Sequence, residues 1–100
     1  MKPATLHADA EAELRQALAD YERQRPGLGG EFRREFEAAL QRVCENPQAY
    51  AAEDDPGVRY CPLHRFHYTY AYVELKEKIW VAAVAHQRRR PRYWASRRTG

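Results

Sequence analysis

Residues 65–86 read RFHYTYAYVELKEKIWVAAVAH, and their pattern is the strongest indication of the fold. Its first half places an aromatic side chain at every second position, at Phe66, Tyr68, Tyr70 and Tyr72. A period of two among strong β-formers predicts a strand whose aromatic face packs into a core. After a polar turn at 76–78, the run 79–85 is almost wholly apolar, which indicates a strand in the interior of a sheet. We therefore predict a β-hairpin that turns near residues 76–77.

Two amphipathic helices are predicted upstream of this hairpin. Apolar residues recur at i, i+4, i+7, i+8 and i+11 in two segments: Ala10, Leu14, Ala17, Leu18 and Tyr21, and then Phe32, Phe36, Ala39, Leu40 and Val43. This spacing gives each helix one apolar face. Pro26 and Gly27 should end the first helix near Arg25, and Asn46–Pro47 should end the second. The short linker PGLGG (26–30) predicts that the two helices form an antiparallel hairpin.

The rest of the chain completes a small sheet. Residues 2–6 can form a short strand, and 58–63 form another, in which Pro62 indicates either a frayed end or a position at the sheet edge. Residues 53–57 read as an acidic loop. The predicted order is β-α-α-β-β-β in an α+β fold, with the helical hairpin packed on one face of a mainly antiparallel sheet. One domain spans 1–100, and residues 86–100 form its basic C-terminal tail.

The net charge of +3 conceals a division of the chain. Residues 1–55 hold 12 acids and 7 bases, whereas residues 56–100 hold 2 acids and 10 bases. No apolar run approaches the ~18 residues of a membrane span, and no apolar signal core begins the chain, so we expect a cytoplasmic protein without membrane contact. In a reducing cytosol, Cys44 and Cys61 are expected to be free, partly buried thiols.

The basic tail carries the first group of candidate residues: Arg88, Arg89, Arg90, Tyr93 and Trp94. Arginines beside aromatic residues suit phosphate contacts and base stacking. They equally suit an acidic protein surface, either of a partner or of this chain's own acidic helices, or a solvated tail that Tyr93 and Trp94 fix to the sheet. All three interpretations stay open at this point.

Three histidines, His64, His67 and His86, form the second group. In a hairpin that turns near 76–77, position 67 lies across from position 86, so two imidazoles should be neighbours. Such a pair can serve acid–base chemistry or phosphate binding, or can simply be hydrogen-bonded at a sheet edge. No HxxxH, CxxC or GxxxxGK[ST] motif occurs, so we expect neither a metal site nor a cofactor.

Four segments resemble the ParE/RelE superfamily, the toxins of bacterial type II toxin–antitoxin (plasmid stabilization) modules. They are PGLGGEF, ENPQAY, RFHYTYAYVE and VAAVAHQRRRPRYW, and the resemblance extends over roughly residues 5–95. It implies the same β-α-α-β-β-β order and a toxin neutralised by a cognate, ParD-like antitoxin, whose C-terminal segment is often acidic. The antitoxin is expected to contact the helical hairpin and the basic sheet edge.

Two target classes exist in this superfamily: RelE-like members cut mRNA in the ribosome, and ParE-like members poison DNA gyrase. The resemblance aligns Thr69 with a catalytic arginine of the nucleases and Arg89 with a second one. Tyr93 lies one or two residues away from their tyrosine. Their lysine pair is missing, with only Arg59 and Arg65 nearby. We therefore expect the ParE-like branch, with gyrase as target.

Two alternatives remain. One is a ribosome-dependent mRNA endoribonuclease, in which the working residues would be Arg65, His67, His86, Arg89 and Tyr93. The other is a non-toxic family member that only binds its antitoxin. For binding to the target or the antitoxin, the candidate residues are Arg59, Arg65, His86, Arg88, Arg89, Arg90, Tyr93 and Trp94.

Overall fold

A computed structural model of the chain describes residues 1–54, 57–87 and 93–97. Two helices and five strands follow one another as β1 (Ala4–Leu6), α1 (Ala8–Gln24), α2 (Leu28–Glu45), β2 (Ala52–Asp54), β3 (Val58–Pro62), β4 (Tyr68–Glu74) and β5 (Ile79–His86). The predicted α+β fold and element order are thus confirmed, with one short strand added. Among these described residues, neither helix is both long and apolar enough to cross a membrane.

The added strand, β2, lies where the sequence predicted the start of an acidic loop. Its backbone pairs antiparallel with β3, with Ala52 opposite Arg59 and Asp54 opposite Val58. Three residues are too few to show a period of two, and the pairing comes from the available backbone edge of β3. Residues 55–56 of the predicted loop lie outside the described residues.

The sheet has the strand order β1-β5-β4-β3-β2. β1 runs parallel to β5, and the other neighbouring pairs are antiparallel. β5 is therefore interior only where β1 covers it, at residues 79–81. The prediction of an interior strand over 79–85 is right for that first part. Beyond it, Ala82, Ala83 and Val84 are buried without a second neighbouring strand in the described chain.

The helical hairpin turns more tightly than predicted, because α2 begins at Leu28, inside the expected linker. Gly27 adopts a φ of 90°, in the left-handed region that suits glycine. The Glu22 carboxylate accepts the Gly27 N–H at 3.0 Å and the Gly29 N–H at 3.1 Å. A carboxylate from α1 thus satisfies amide groups at the start of α2, where a helix favours negative charge.

The core lies mainly between the helical hairpin and one face of the sheet. Phe36 of α2 meets Tyr70 of β4 with 5.3 Å between ring centroids. Tyr70 and Tyr72 are fully buried, as the aromatic alternation predicts. Both cysteines are free and buried. A second, smaller cluster covers the opposite face of the sheet and consists of Val58, Ala71, Trp80, Ala82, Ala83 and Trp94.

Candidate functional site

His67 and His86 are neighbours at one end of the sheet, as the hairpin register predicts. Tyr68 lies opposite His86, and the Gln87 N–H donates to the His67 carbonyl at 2.8 Å. The two imidazole centroids are 6.2 Å apart, and both side chains are exposed. The Tyr68 ring meets His86 edge-on at 5.4 Å. Two exposed imidazoles at this distance can exchange protons with a ligand, or they can bind an anionic ligand.

Arg65 lies in the loop before β4 and faces α2 rather than the sheet. Its guanidinium donates to Glu31 at 2.7 Å, and its backbone N–H donates to Glu35 at 3.2 Å. The hydrogen bond to Glu31 raises the pKa of Arg65, and the same contact lowers the pKa of the Glu31 carboxyl. The exposed guanidinium therefore has acidic partners within the chain, and it joins the loop to the helical hairpin.

Arg59 has an internal partner as well. It lies on β3, opposite Tyr72, and its guanidinium donates to the Tyr50 carbonyl. The Tyr72 hydroxyl donates to the Pro47 carbonyl at 2.9 Å, and burial raises the pKa of Tyr72 to about 12. Together these bonds hold the segment after α2 against the sheet.

Trp94 belongs to the smaller core rather than to an exposed stacking surface. Its side chain is 7% exposed, and its ring centroid lies 6.4 Å from that of Tyr60. Tyr93 donates its hydroxyl to Glu13 of α1 at 2.7 Å. Trp94 therefore packs against the sheet, as the interpretation of a fixed tail expects, whereas Tyr93 is held by α1 instead of the sheet. Arg88, Arg89 and Arg90, the other candidates in this segment, lie outside the described residues.

Glu13 and Arg97 were missed by the sequence analysis, although they organise this end of the molecule. The Arg97 guanidinium forms two hydrogen bonds with the Glu13 carboxylate, at 2.9 and 3.0 Å. Glu13 lies three residues after Ala10 and four before Ala17, on the apolar face of α1. An acid in that position is the one signal in the sequence that points to a partly buried partner. No signal identifies Arg97 among the six arginines of the last 15 residues.

Thr69 lies on one of two central strands that contain no arginine or lysine. It lies on β4 between Pro62 of β3 and Ala85 of β5. Neither β4 (YTYAYVE) nor β5 (IWVAAVAH) contains an arginine or a lysine. Phosphate chemistry at the centre of these strands would therefore depend on cations brought from other segments.

A family model described as the ParE toxin of type II toxin–antitoxin systems, parDE, matches residues 5–91. The match extends from β1 through both helices and the whole hairpin to the start of the C-terminal segment. A search of curated proteins finds no match. With most of its length matched, the chain belongs to the ParE toxin family of type II toxin–antitoxin systems.

Proposed function

We propose that this chain is a cytoplasmic toxin that inhibits DNA gyrase and is neutralised by a cognate antitoxin. The observation that carries the choice of gyrase over RNA is the absence of arginine and lysine from β4 and β5. It agrees with the family resemblance, which places Thr69 where the nucleases have an arginine. Stabilising the charge that develops on a scissile phosphate requires such cations close to the reacting atoms. A protein-directed inhibitor has no such requirement.

Three other described candidates, Arg59, Arg65 and Tyr93, support the same choice. The Arg65 guanidinium is bonded to Glu31, and that of Arg59 to the Tyr50 carbonyl. The Tyr93 hydroxyl is bonded to Glu13. These three side chains therefore already have partners within the chain, which supports a structural role for them rather than RNA cleavage.

The charge distribution supports an acidic antitoxin. Residues 56–100 contain 10 bases and 2 acids, and six of the bases are arginines in the last 15 residues. Acidic and basic surfaces attract each other over several ångströms in water and fix the orientation of a complex. An apolar groove between β1 and the two helices, lined in part by Leu6, Leu14 and Phe36, supports additional contact with the hairpin.

A supercoiling assay tests the gyrase proposal. Purified protein should inhibit supercoiling by purified gyrase, and addition of the antitoxin, expected to be encoded by the adjacent gene, should restore it. Gyrase incubated with the preformed toxin–antitoxin complex is the control. Undiminished supercoiling at an excess of the free, folded protein would contradict the proposal.

One observation favours ribosome-dependent mRNA cleavage as a second candidate, namely the adjacency of His67 and His86. In this case, induction should produce new 5′ ends within translated mRNA, and the His67→Ala/His86→Ala variant should not produce them. Intact transcripts in cells whose growth has stopped would exclude the nuclease. Unaffected growth on expression without the antitoxin would indicate a family member that only binds its partner.

A further inference from the structure

β5 has one edge that β1 leaves uncovered. The Gln87 N–H bonds to the carbonyl of His67, the residue before β4, so the odd-numbered residues 83 and 85 also direct their backbone groups toward β4. By the same alternation, Val84 and His86 direct theirs to the opposite side. The register with β4 shifts at Ala82, and the bond from Arg97 shows that the Ala82 carbonyl also faces that side. Among the described residues, no strand pairs with 82–86 on that side. We call this side of residues 82–86 the β5 edge.

Two side chains occupy the β5 edge in place of a strand. The Glu13 carboxylate accepts the Val84 N–H at 3.0 Å, and the Arg97 guanidinium donates to the Ala82 carbonyl at 2.9 Å. Glu13 and Arg97 are also bonded to each other, and we call this pair the latch. An acceptor and a donor therefore stand where the carbonyl and the amide of a neighbouring strand would stand.

The latch is well shielded and is reinforced by its neighbours. The side chains of Glu13 and Arg97 are 17% and 13% exposed. Tyr93 donates its hydroxyl to Glu13, and the Arg97 guanidinium lies 5.2 Å from the centre of the Tyr93 ring. Burial would raise the pKa of the Glu13 carboxyl, but its hydrogen bonds and the charge of Arg97 outweigh burial and lower the pKa. The carboxylate that closes the edge is thus held in its charged form at neutral pH.

The sequence of β5 explains why its edge needs closing. Residues 79–85 read IWVAAVA, with no charge and no proline. Exposed edges of such strands pair with strands of other molecules, and proteins usually protect them with charged side chains or covering segments. The described lysines of the hairpin, Lys76 and Lys78, lie at its turn, far along the strand from residues 82–86.

We propose that the latch is an autoinhibitory contact that prevents β5 from pairing with β5 of a second copy of the chain. The β5 edge is self-complementary around Val84. In an antiparallel, two-fold arrangement, the Val84 N–H of each copy meets the Val84 carbonyl of the other, and each His86 N–H meets the other Ala82 carbonyl. The Val84 N–H and the Ala82 carbonyl are the two groups that the latch occupies, so the closed latch and this pairing exclude each other.

The test compares two variants on the same helix. Glu13→Ala removes the acceptor at Val84 and the partner of Arg97, whereas Glu11→Ala removes an exposed acid two residues earlier. By sedimentation velocity, the wild type and Glu11→Ala should be monomers, and Glu13→Ala should shift to a dimer as its concentration rises. In hydrogen exchange, the Val84 amide should be protected in the wild type, exposed in dilute Glu13→Ala and protected again in the dimer.

A second substitution identifies the surface through which the copies associate. His86→Pro removes the N–H that residue 86 directs to the β5 edge, and it leaves the bonds of 85 and 87 to β4 in place. Glu13→Ala/His86→Pro should therefore return to a monomer. Association that persists in this double variant would overturn the proposal, because another surface would be responsible.

A folded variant that remains monomeric would also overturn the proposal. Folding is checked by circular dichroism. Should Glu13→Ala lose its fold, Glu13→Met removes the same acceptor with a smaller change of volume, and the same outcomes apply to it. A monomer of either variant with a rapidly exchanging Val84 amide would show that an open β5 edge does not recruit a second copy.

Discussion

Glu13 has the largest set of hydrogen-bond partners of any described carboxylate, and every one of them lies far away in the sequence. Its four bonds come from a backbone amide of β5, from Tyr93 and twice from Arg97. The carboxylate and the guanidinium are separated by 84 residues in the chain. A single side chain of α1 therefore joins the first helix, the edge of the sheet and the C-terminal segment.

Replacing Glu13 should cost much more stability than replacing its exposed neighbour. Glu13→Ala leaves the Arg97 charge and the Val84 amide without their partner, which should lower the free energy of unfolding by about 2–4 kcal/mol. Glu11→Ala should change it by less than about 0.5 kcal/mol, since Glu11 is exposed. Urea unfolding of dilute, monomeric samples measures the difference. Equal midpoints for the two variants would contradict the assignment of Glu13 as a structural carboxylate.

The same carboxylate should make stability depend on pH. Its pKa in the folded protein lies below the ordinary value of 4.5. A lowered folded pKa gives stability that is fully present above about pH 4.5 and is lost as the pH falls through the folded value. The difference in unfolding free energy between wild type and Glu13→Ala should therefore shrink in this acidic window. A difference that stayed constant down to the lowest pH would show that the charge of Glu13 contributes nothing.

At the scale of elements, the approach of α1 to α2 depends on one glycine. A Cβ atom added to Gly29 would lie 2.8 Å from the Leu18 carbonyl and 3.0 Å from a Glu22 carboxylate oxygen. A Cβ atom on the next residue, Gly30, would meet only the end of the Arg34 side chain at 3.5 Å. The close approach of the helices therefore requires a glycine at position 29 but leaves room for a side chain at position 30.

Alanine substitutions at these two positions should therefore change the stability of the protein differently. Gly29→Ala should destabilise the protein by about 1–3 kcal/mol, because the helices must move apart. Gly30→Ala should be neutral or stabilising by up to about 1 kcal/mol, because alanine favours the helix. Thermal unfolding of the two variants measures both effects. Equal shifts of the two melting temperatures would contradict the close approach at Gly29.

At the scale of the whole molecule, the division of charge should govern partner binding. Arg88→Glu/Arg90→Glu should weaken antitoxin binding about tenfold or more at low salt, and the loss should shrink as salt screens the attraction. Lys76→Glu/Lys78→Glu makes the same charge change at the turn of the hairpin and should bind nearly as the wild type does. Titration calorimetry at several salt concentrations measures both. Affinities that do not depend on salt would count against electrostatic recognition.

The fold class and most of the element order can be predicted from the sequence alone, because helix and strand periods are local properties of the side chains. Each pattern identifies the buried residues of a single helix or strand. The patterns are the alternating aromatics over 66–72, the apolar run over 79–85 and the two helical repeats. Even the adjacency of His67 and His86 follows from counting residues around one short turn. Local patterns can predict these features, since each depends on neighbours within about 20 residues.

How these helices and strands are joined is visible only in the tertiary structure. It moved the start of α2 to Leu28, where Glu22 caps the helix, and added β2 along the edge of β3. It gave Arg65 and Trp94 partners within the chain: Arg65 stays exposed but bonds to Glu31, whereas Trp94 is buried against Tyr60. It paired Glu13 with Arg97 across 84 residues. The partner of a buried charge depends on which segments meet in three dimensions, and no local pattern along the chain records that meeting.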